Sequence, residues 1–398
     1  MKRLIRKTLF RTVMLFGIYV LIANHSMTNI AFGQPNLRSS LFDDIEDGRL
    51  TLYTPIEAAF IISGATTHDS LRTAVQWFNG IIDDIHAKHL IDDFEKEASA
   101  EKLFQYLHVM WLKTYKREAT TLLDIKHNKT YNCVAATILY NYLCDQLGLS
   151  TMAFETPTHV YTIFTNFGDQ IMVENTSSLG FNIIKNLNNY SHHMAQYYPE
   201  QEIYRIGLDR LYAYENSKGR KIDNIELLGL ICYNQAVFSA DDKNFKQAYE
   251  YVLMAQQFNK DSRSNLQFES NLYYRWGKQL FDTKRYYDAF EVFADATYRD
   301  PYNPDFKKNC LAAFHRTLDV SWAKKDWQTV QILIEEITEL DIMESRNIRN
   351  TEQHLIRWGE YFWNTKQKDK GGEVIVLLRL IESDHDAIKN MEKLFQSM

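Results

Sequence analysis

Ala248, Ala289, Val330 and Gly371 lie 41 residues apart, and other positions keep the same step. Ala236, Gly277, Leu318 and Gly359 form a column of mostly small residues, broken at Leu318. Phe245, Tyr286, Trp327 and Lys368 form a second column, and Val252, Phe293, Ile334 and Ile375 a third. Trp276-Gly277 returns two periods later as Trp358-Gly359. Such a recurrence leaves the chain few options. A unit of this length is a helical hairpin that cannot bury its apolar face alone, so neighbours must stack, with small residues where helices approach and large ones in the seams. Residues 229–398 are therefore expected to be an all-α helical-repeat domain, with 385–398 as a terminal capping helix.

The remaining half needs a different architecture. At 398 residues the chain exceeds the size at which one hydrophobic core usually suffices, so two domains are expected. An aromatic content of 14% with only 15 Gly and 6 Pro favours helices with bulky packing over a loop-rich chain. Helical spacing of apolar residues covers 70–87 and 101–115. Residues 124–132 are polar and read as a loop. A helix over 133–147 follows, ended by Gly148. The pattern then changes to β-branched and aromatic segments at 150–155, 160–165 and 170–173, with a turn at 166–170. Helices packed on a small antiparallel sheet make 37–200 an α+β domain. Residues 201–228 read as a connecting segment in which Lys218-Gly219-Arg220-Lys221 is an exposed turn, and His192-His193 as a surface pair.

Lys2, Arg3, Arg6, Lys7 and Arg11 precede an apolar run at 12–23, and Ala31-Phe32-Gly33 offers small residues for cleavage before Gln34. That pattern is an export signal over 1–33, which implies a periplasmic or extracellular address and no membrane span in the mature chain. The alternative is an uncleaved N-terminal membrane anchor. Loss of 1–33 removes five basic residues and no acidic ones, moving the formal charge from −6 to −11. A chain so acidic is poorly suited to nucleic acid or anionic membrane, both of which need basic surfaces. No cofactor is expected. Asp83, His86 and His89 lie in an acidic helical face and read as solvated, since nothing else in the sequence completes a metal site.

Four cysteines, 133, 144, 232 and 310, show no Cys-x-x-Cys pair. Cys133 and Cys144 are about 16 Å apart along one predicted helix, too far to bridge. Cys144, Cys232 and Cys310 sit in apolar helical patterns and read as small core residues. Cys133 alone stands where a polar stretch becomes a helix. A helix N-terminus stabilises a thiolate with its partial positive charge, and a histidine does so by taking the proton. His159, at the start of the strand 160–165, can be that histidine. Glu174, at the end of the partner strand, can hold the other ring nitrogen. Cysteine, histidine and acid are together the parts of a thiol hydrolase. The backbone N–H of Cys133 would serve an oxyanion, with Asn128, Tyr131 or Asn132 as second donors.

Tyr131-Asn132-Cys133-Val134-Ala135, Pro157-Thr158-His159-Val160 and Val173-Glu174-Asn175-Thr176 resemble the bacterial transglutaminase-like cysteine hydrolases. The resemblance covers roughly 50–185. It implies a papain-like fold with Cys133 as nucleophile, His159 as general base and then acid, and Glu174 as orienting acid. Glu174 stands where that family commonly has Asp, and Asn132 where Gly often precedes the cysteine. Gly277, Tyr286, Ala289, Phe293, Ala296 and Pro301 fall at offsets resembling the tetratricopeptide repeat (TPR), although the period is 41 and not 34. Together these resemblances imply an exported cysteine protease, amidase or acyl transferase acting on amide bonds of a peptide or protein, with repeats that recruit a protein partner. The alternative is an inactive hydrolase fold retained as a protein–protein interaction scaffold.

Overall fold

The computed structural model describes residues 36–397, so the export signal expected over 1–33 lies outside the described residues. The described residues begin with four helices: α1 Leu37–Asp44, α2 Pro55–Ile62, α3 His68–Ala87 and α4 Lys96–Met110. Reciprocal hydrogen bonds between Thr54 and Glu57 and between Thr67 and Ser70 cap α2 and α3. Helical spacing extends to Tyr115 in the sequence, yet α4 stops at Met110. Thr114–Tyr115 instead form a short strand, β1, paired in parallel with β2 Thr130–Tyr131. Between them lies α5 Leu122–Asn128, so most of the polar stretch 124–132 expected to be a loop is helix and strand. Thr121 and Asp124 cap this helix reciprocally, and it ends at Lys129 in a left-handed conformation with φ 55°.

Helix α6, Cys133–Gln146, is the centre of the first half, and every side chain from Val134 to Cys144 is buried. Against it lies a four-stranded antiparallel sheet. Its strands are β3 Thr151–Glu155, β4 Val160–Asn166, β5 Asp169–Val173 and β6 Arg220–Ile222, in the order β5-β4-β3-β6. Phe167 and Gly168, with φ 48° and 98°, make the tight turn of the β4–β5 hairpin. The residues read as an exposed turn at 218–221 thus supply an edge strand. β3 has a free edge, and Ile222 is fully buried when Arg220–Ile222 pair with it. Side chains alternate across the sheet. Val160, Phe164 and Val173 face the main core. Tyr161, Ile163 and Met172 face a separate cluster with Tyr190, Met194 and Leu211. That second cluster is built by α7 Leu187–Ala195, α8 Glu200–Ile206 and α9 Leu211–Lys218.

The second half is a stack of four helical hairpins and one closing helix. The hairpins are α10 Leu228–Asp241 with α11 Phe245–Phe258, α12 Arg263–Asp282 with α13 Tyr286–Arg299, α14 Pro304–Lys324 with α15 Trp327–Leu340, and α16 Ser345–Asn364 with α17 Lys368–Leu380. Helix α18 His385–Gln396 closes the stack, and the Phe395 ring occupies the space that a side chain at Gly371 would need. The column Phe245, Tyr286, Trp327 and Lys368 marks the first residue of each second helix. The intervening turn is the same in all four. Lys243, Lys284, Lys325 and Lys366 have φ of 61°, 62°, 58° and 57°. In each case the lysine N–H returns three residues and the next N–H five residues, a Schellman ending.

The small-residue column has a matching steric reason. A methyl at Gly277 would sit 2.4–2.7 Å from the Phe293 ring of the paired helix. Gly277→Ala should therefore destabilise the chain by about 1–3 kcal/mol. Gly372→Ala, in α17 with no atom within 4 Å, should instead gain up to about 1 kcal/mol of helix propensity. Urea unfolding of the two variants checks the repeat packing, and equal behaviour would contradict it.

Candidate active site

Asn132 sets the position of Cys133. Its extended backbone follows β2, and its Oδ1 accepts hydrogen bonds from the N–H groups of Val134 and Ala135 at 3.0 and 3.1 Å. Its Nδ2 donates to the Arg117 carbonyl at 3.0 Å. The asparagine is thus the N-cap of α6, with both ends of its amide engaged. Cys133 is the first helical residue and is half-buried. Its own N–H has no acceptor among the described residues, as expected for the first turn of a helix.

His159 is held by its backbone. Its N–H donates to Thr156 Oγ1 at 3.0 Å, and its carbonyl accepts from the Thr156 N–H at 2.8 Å. This closes a four-residue turn around Pro157-Thr158 just before β4. The ring Nε2 lies 2.7 Å from Glu174 Oε2, and neither side chain is exposed. The buried Nδ1 has no hydrogen-bond partner among the described residues and is left for the thiol. Burial alone would push His159 toward its neutral form. The Glu174 carboxylate and the neighbouring Cys133 outweigh it, and the imidazole is held well above its ordinary pKa. Burial likewise opposes ionisation of Glu174, but His159 and then His193 overcome it and hold the carboxyl well below its usual range.

Glu174 follows β5, and its second oxygen is also occupied. Oε1 accepts from the Thr176 N–H at 3.0 Å and from Thr176 Oγ1 at 2.5 Å. Thr176 Oγ1 in turn lies 2.8 Å from His193 Nε2 and accepts from the Tyr197 hydroxyl at 3.2 Å. With its proton directed at Glu174, Thr176 can only accept from His193, so Nε2 carries the hydrogen and Nδ1 accepts from Gln196 at 3.2 Å. The Tyr197 ring stacks on His159 with centroids 4.8 Å apart.

The sequence candidates separate cleanly. Cys133, His159 and Glu174 come to one place, with Tyr131 and Asn132 beside them. Asn128 is exposed at the end of α5, and the Asn132 amide is consumed by capping. Tyr131 is buried, edge-on to Tyr115 at 6.0 Å and to His108 at 6.4 Å. Sequence reasoning missed Tyr115, Thr176, His193 and Tyr197. The pair His193 and Tyr197 stands four residues apart, as on one helical face, but nothing in the sequence brings α7 to the sheet. A buried polar seam backs the site. Thr137 and Asn141 continue the α6 face that begins at Cys133. Asn175 Nδ2 donates to Thr162 Oγ1 at 2.8 Å and to Thr137 Oγ1 at 3.2 Å, and Thr162 Oγ1 donates to Asn141 Oδ1 at 2.5 Å.

The other three thiols are fully buried, and burial raises them, Cys232 to about 12. Iodoacetamide at neutral pH should therefore label Cys133 first, as read by peptide mass mapping, and equal labelling of all four would contradict the site. The charged pair also sets a pH window. His159, raised from 6.5, stabilises fully below that value and less as pH rises through its folded pKa. Glu174, lowered from 4.5, stabilises fully above that value and less as pH falls through its folded pKa. Wild type should exceed Glu174→Gln most between pH 4.5 and 6.5 in urea unfolding, by about 3 kcal/mol. A gap that does not vary with pH would show that the pair is not charged.

No protein-family model and no curated protein matches the chain. Among solved structures it is similar to menin, in a crystal structure that reveals the binding site for Mixed Lineage Leukemia (MLL) protein. The identity is 12%, over 80% of this chain and 86% of that one, with a TM-score of 0.30, too low to argue from.

Proposed function

We propose that the chain is a transglutaminase-like cysteine hydrolase or acyl transferase acting on amide bonds of a peptide or protein. The observation that carries this reading is the buried 2.7 Å contact of His159 Nε2 with Glu174 Oε2, which leaves Nδ1 for a thiol at the mouth of α6. In the reaction the Cys133 sulfur attacks the amide carbon. His159 gives its proton to the departing amine, and a thioester remains on Cys133. His159 then takes a proton from water, which yields the acid, or from a second amine, which yields a new amide. Glu174 keeps the imidazole in one orientation and stabilises its charge throughout.

The hairpins of α10–α17, read as TPR-like, recruit a protein or peptide partner along their stacked face. Export is part of the same reading and rests on the basic and apolar pattern of residues 1–33. No helix among the described residues is long and apolar enough to cross a membrane.

One observation favours the scaffold reading instead. Neither the His159 nor the Glu174 side chain is exposed, and Tyr197 lies over the ring, so substrate approaches only from the Cys133 side. Activity decides between the two. Glutamine-containing peptides, incubated with and without a fluorescent primary amine, should release ammonia or take up the amine. Cys133→Ala should abolish both, and Glu174→Gln should lower the rate about 10²–10⁴-fold. Turnover unchanged in Cys133→Ala would overturn the hydrolase reading.

A further inference from the structure

Three tyrosines and His159 form an arc whose two ends meet at Cys133. Tyr131 lies two residues before the cysteine, and the parallel pairing of β1 with β2 sets Tyr115 beside it, ring centroids 6.0 Å apart. Tyr115 meets Tyr197 edge-on at 6.1 Å, and Tyr197 stacks on His159 at 4.8 Å. Tyr115 is the open member of the arc, 39% exposed against 5% for Tyr131 and 4% for His159. A carbonyl that reaches Cys133 with its leaving group toward His159 places its oxygen on the other side of the sulfur. The Cys133 N–H has no acceptor among the described residues and can serve that oxygen, whereas the Asn132 amide, turned into the helix cap, cannot.

We propose that the Tyr115 phenol is the second donor of the oxyanion hole, a catalytic role that rests on the thiol-hydrolase reading above. When the sulfur lone pair forms the S–C bond, the carbonyl π pair moves onto oxygen. The Cys133 N–H and the Tyr115 O–H donate to that oxygen. The pair then returns to remake the C=O bond as the bond to the leaving group breaks, and the leaving group takes its proton from His159. Tyr115 keeps its own proton. Burial and the neighbouring Cys133, with Glu174 behind them, raise the phenol above its ordinary pKa against a hydrogen bond with Tyr197 and the charge of Arg117, so it stays in the donor form.

Two reagents separate this role from every other way of affecting the thiol. p-Nitrophenyl acetate acylates a thiolate through a tetrahedral oxyanion and releases p-nitrophenolate. Iodoacetamide alkylates the same sulfur at a saturated carbon, with no oxyanion. In the full chain, Tyr115→Phe retains the ring and its two edge contacts. It should slow acetylation of Cys133 about 10²–10³-fold and leave alkylation unchanged, and the unchanged alkylation shows that the site is still folded. Tyr131→Phe should change neither rate. Acetylation falling no further than alkylation in Tyr115→Phe, or the selective loss appearing in Tyr131→Phe, would overturn the assignment. Failure of the underlying reading looks different: Cys133→Ala would then release p-nitrophenolate as fast as the wild type.

Discussion

The dry contact between the His159 imidazole and the Glu174 carboxylate governs the first half of the molecule. Removing two such groups from water costs several kcal/mol for each ion, and their attraction offsets this only when the remaining lone pairs and protons are satisfied. The local architecture supplies those partners. The end of β5 delivers Thr176, whose N–H and hydroxyl both serve the second carboxylate oxygen. Helix α7 delivers His193, and the turn after it delivers Tyr197, whose ring covers the imidazole. The Thr156 turn fixes the histidine backbone. What looks like an appendage on the outer face of the sheet is therefore part of what makes the buried pair affordable.

Much of this was legible in the sequence, for reasons that can be named. Cys133 stood out because the other thiols are surrounded by apolar residues at helical spacing, and the structure buries all three. The hairpin carrying His159 and Glu174 was marked by β-branched residues flanking Phe167-Gly168. The 41-residue step survived because the Schellman turn fixes where each second helix begins. Other elements were hidden by short-range ambiguity. The strand β1 continues an apolar period that fits a helix as well, and α5 is too short and polar for periodicity to reveal it. β6 has only three residues, and its pairing with β3 spans more than 60 positions of sequence. From sequence, Asn132 is a candidate oxyanion donor standing where a Gly is common. Its geometry as a cap depends on the backbone of β2, which the sequence did not show.

The two halves share one continuous core. Helix α10 packs on α2 and α6, and Asn234 donates to Thr120 Oγ1 at 2.8 Å. Arg220 of β6 reaches Glu155 at 3.2 Å and Glu226 at 2.9 Å, and also bonds Asn259 at the end of α11. The first hairpin is therefore built into the sheet and the central helix. Arg117, whose carbonyl anchors the Asn132 cap, lies over Phe238 of α10 with its guanidinium 6.0 Å from the ring centroid. Events on the first repeat are thus two residues from the group that fixes the cysteine.

The four identical lysine turns have an evolutionary consequence. Because each hairpin closes with the same backbone geometry and passes the chain on in the same register, the 41-residue block is a cassette. Duplication or loss of an interior block, cut at equivalent points, would preserve the backbone register of the hairpins on either side. Only the terminal blocks are specialised, one joined to the sheet and the other closed by α18. The length of the solenoid can therefore change without moving the residues around Cys133.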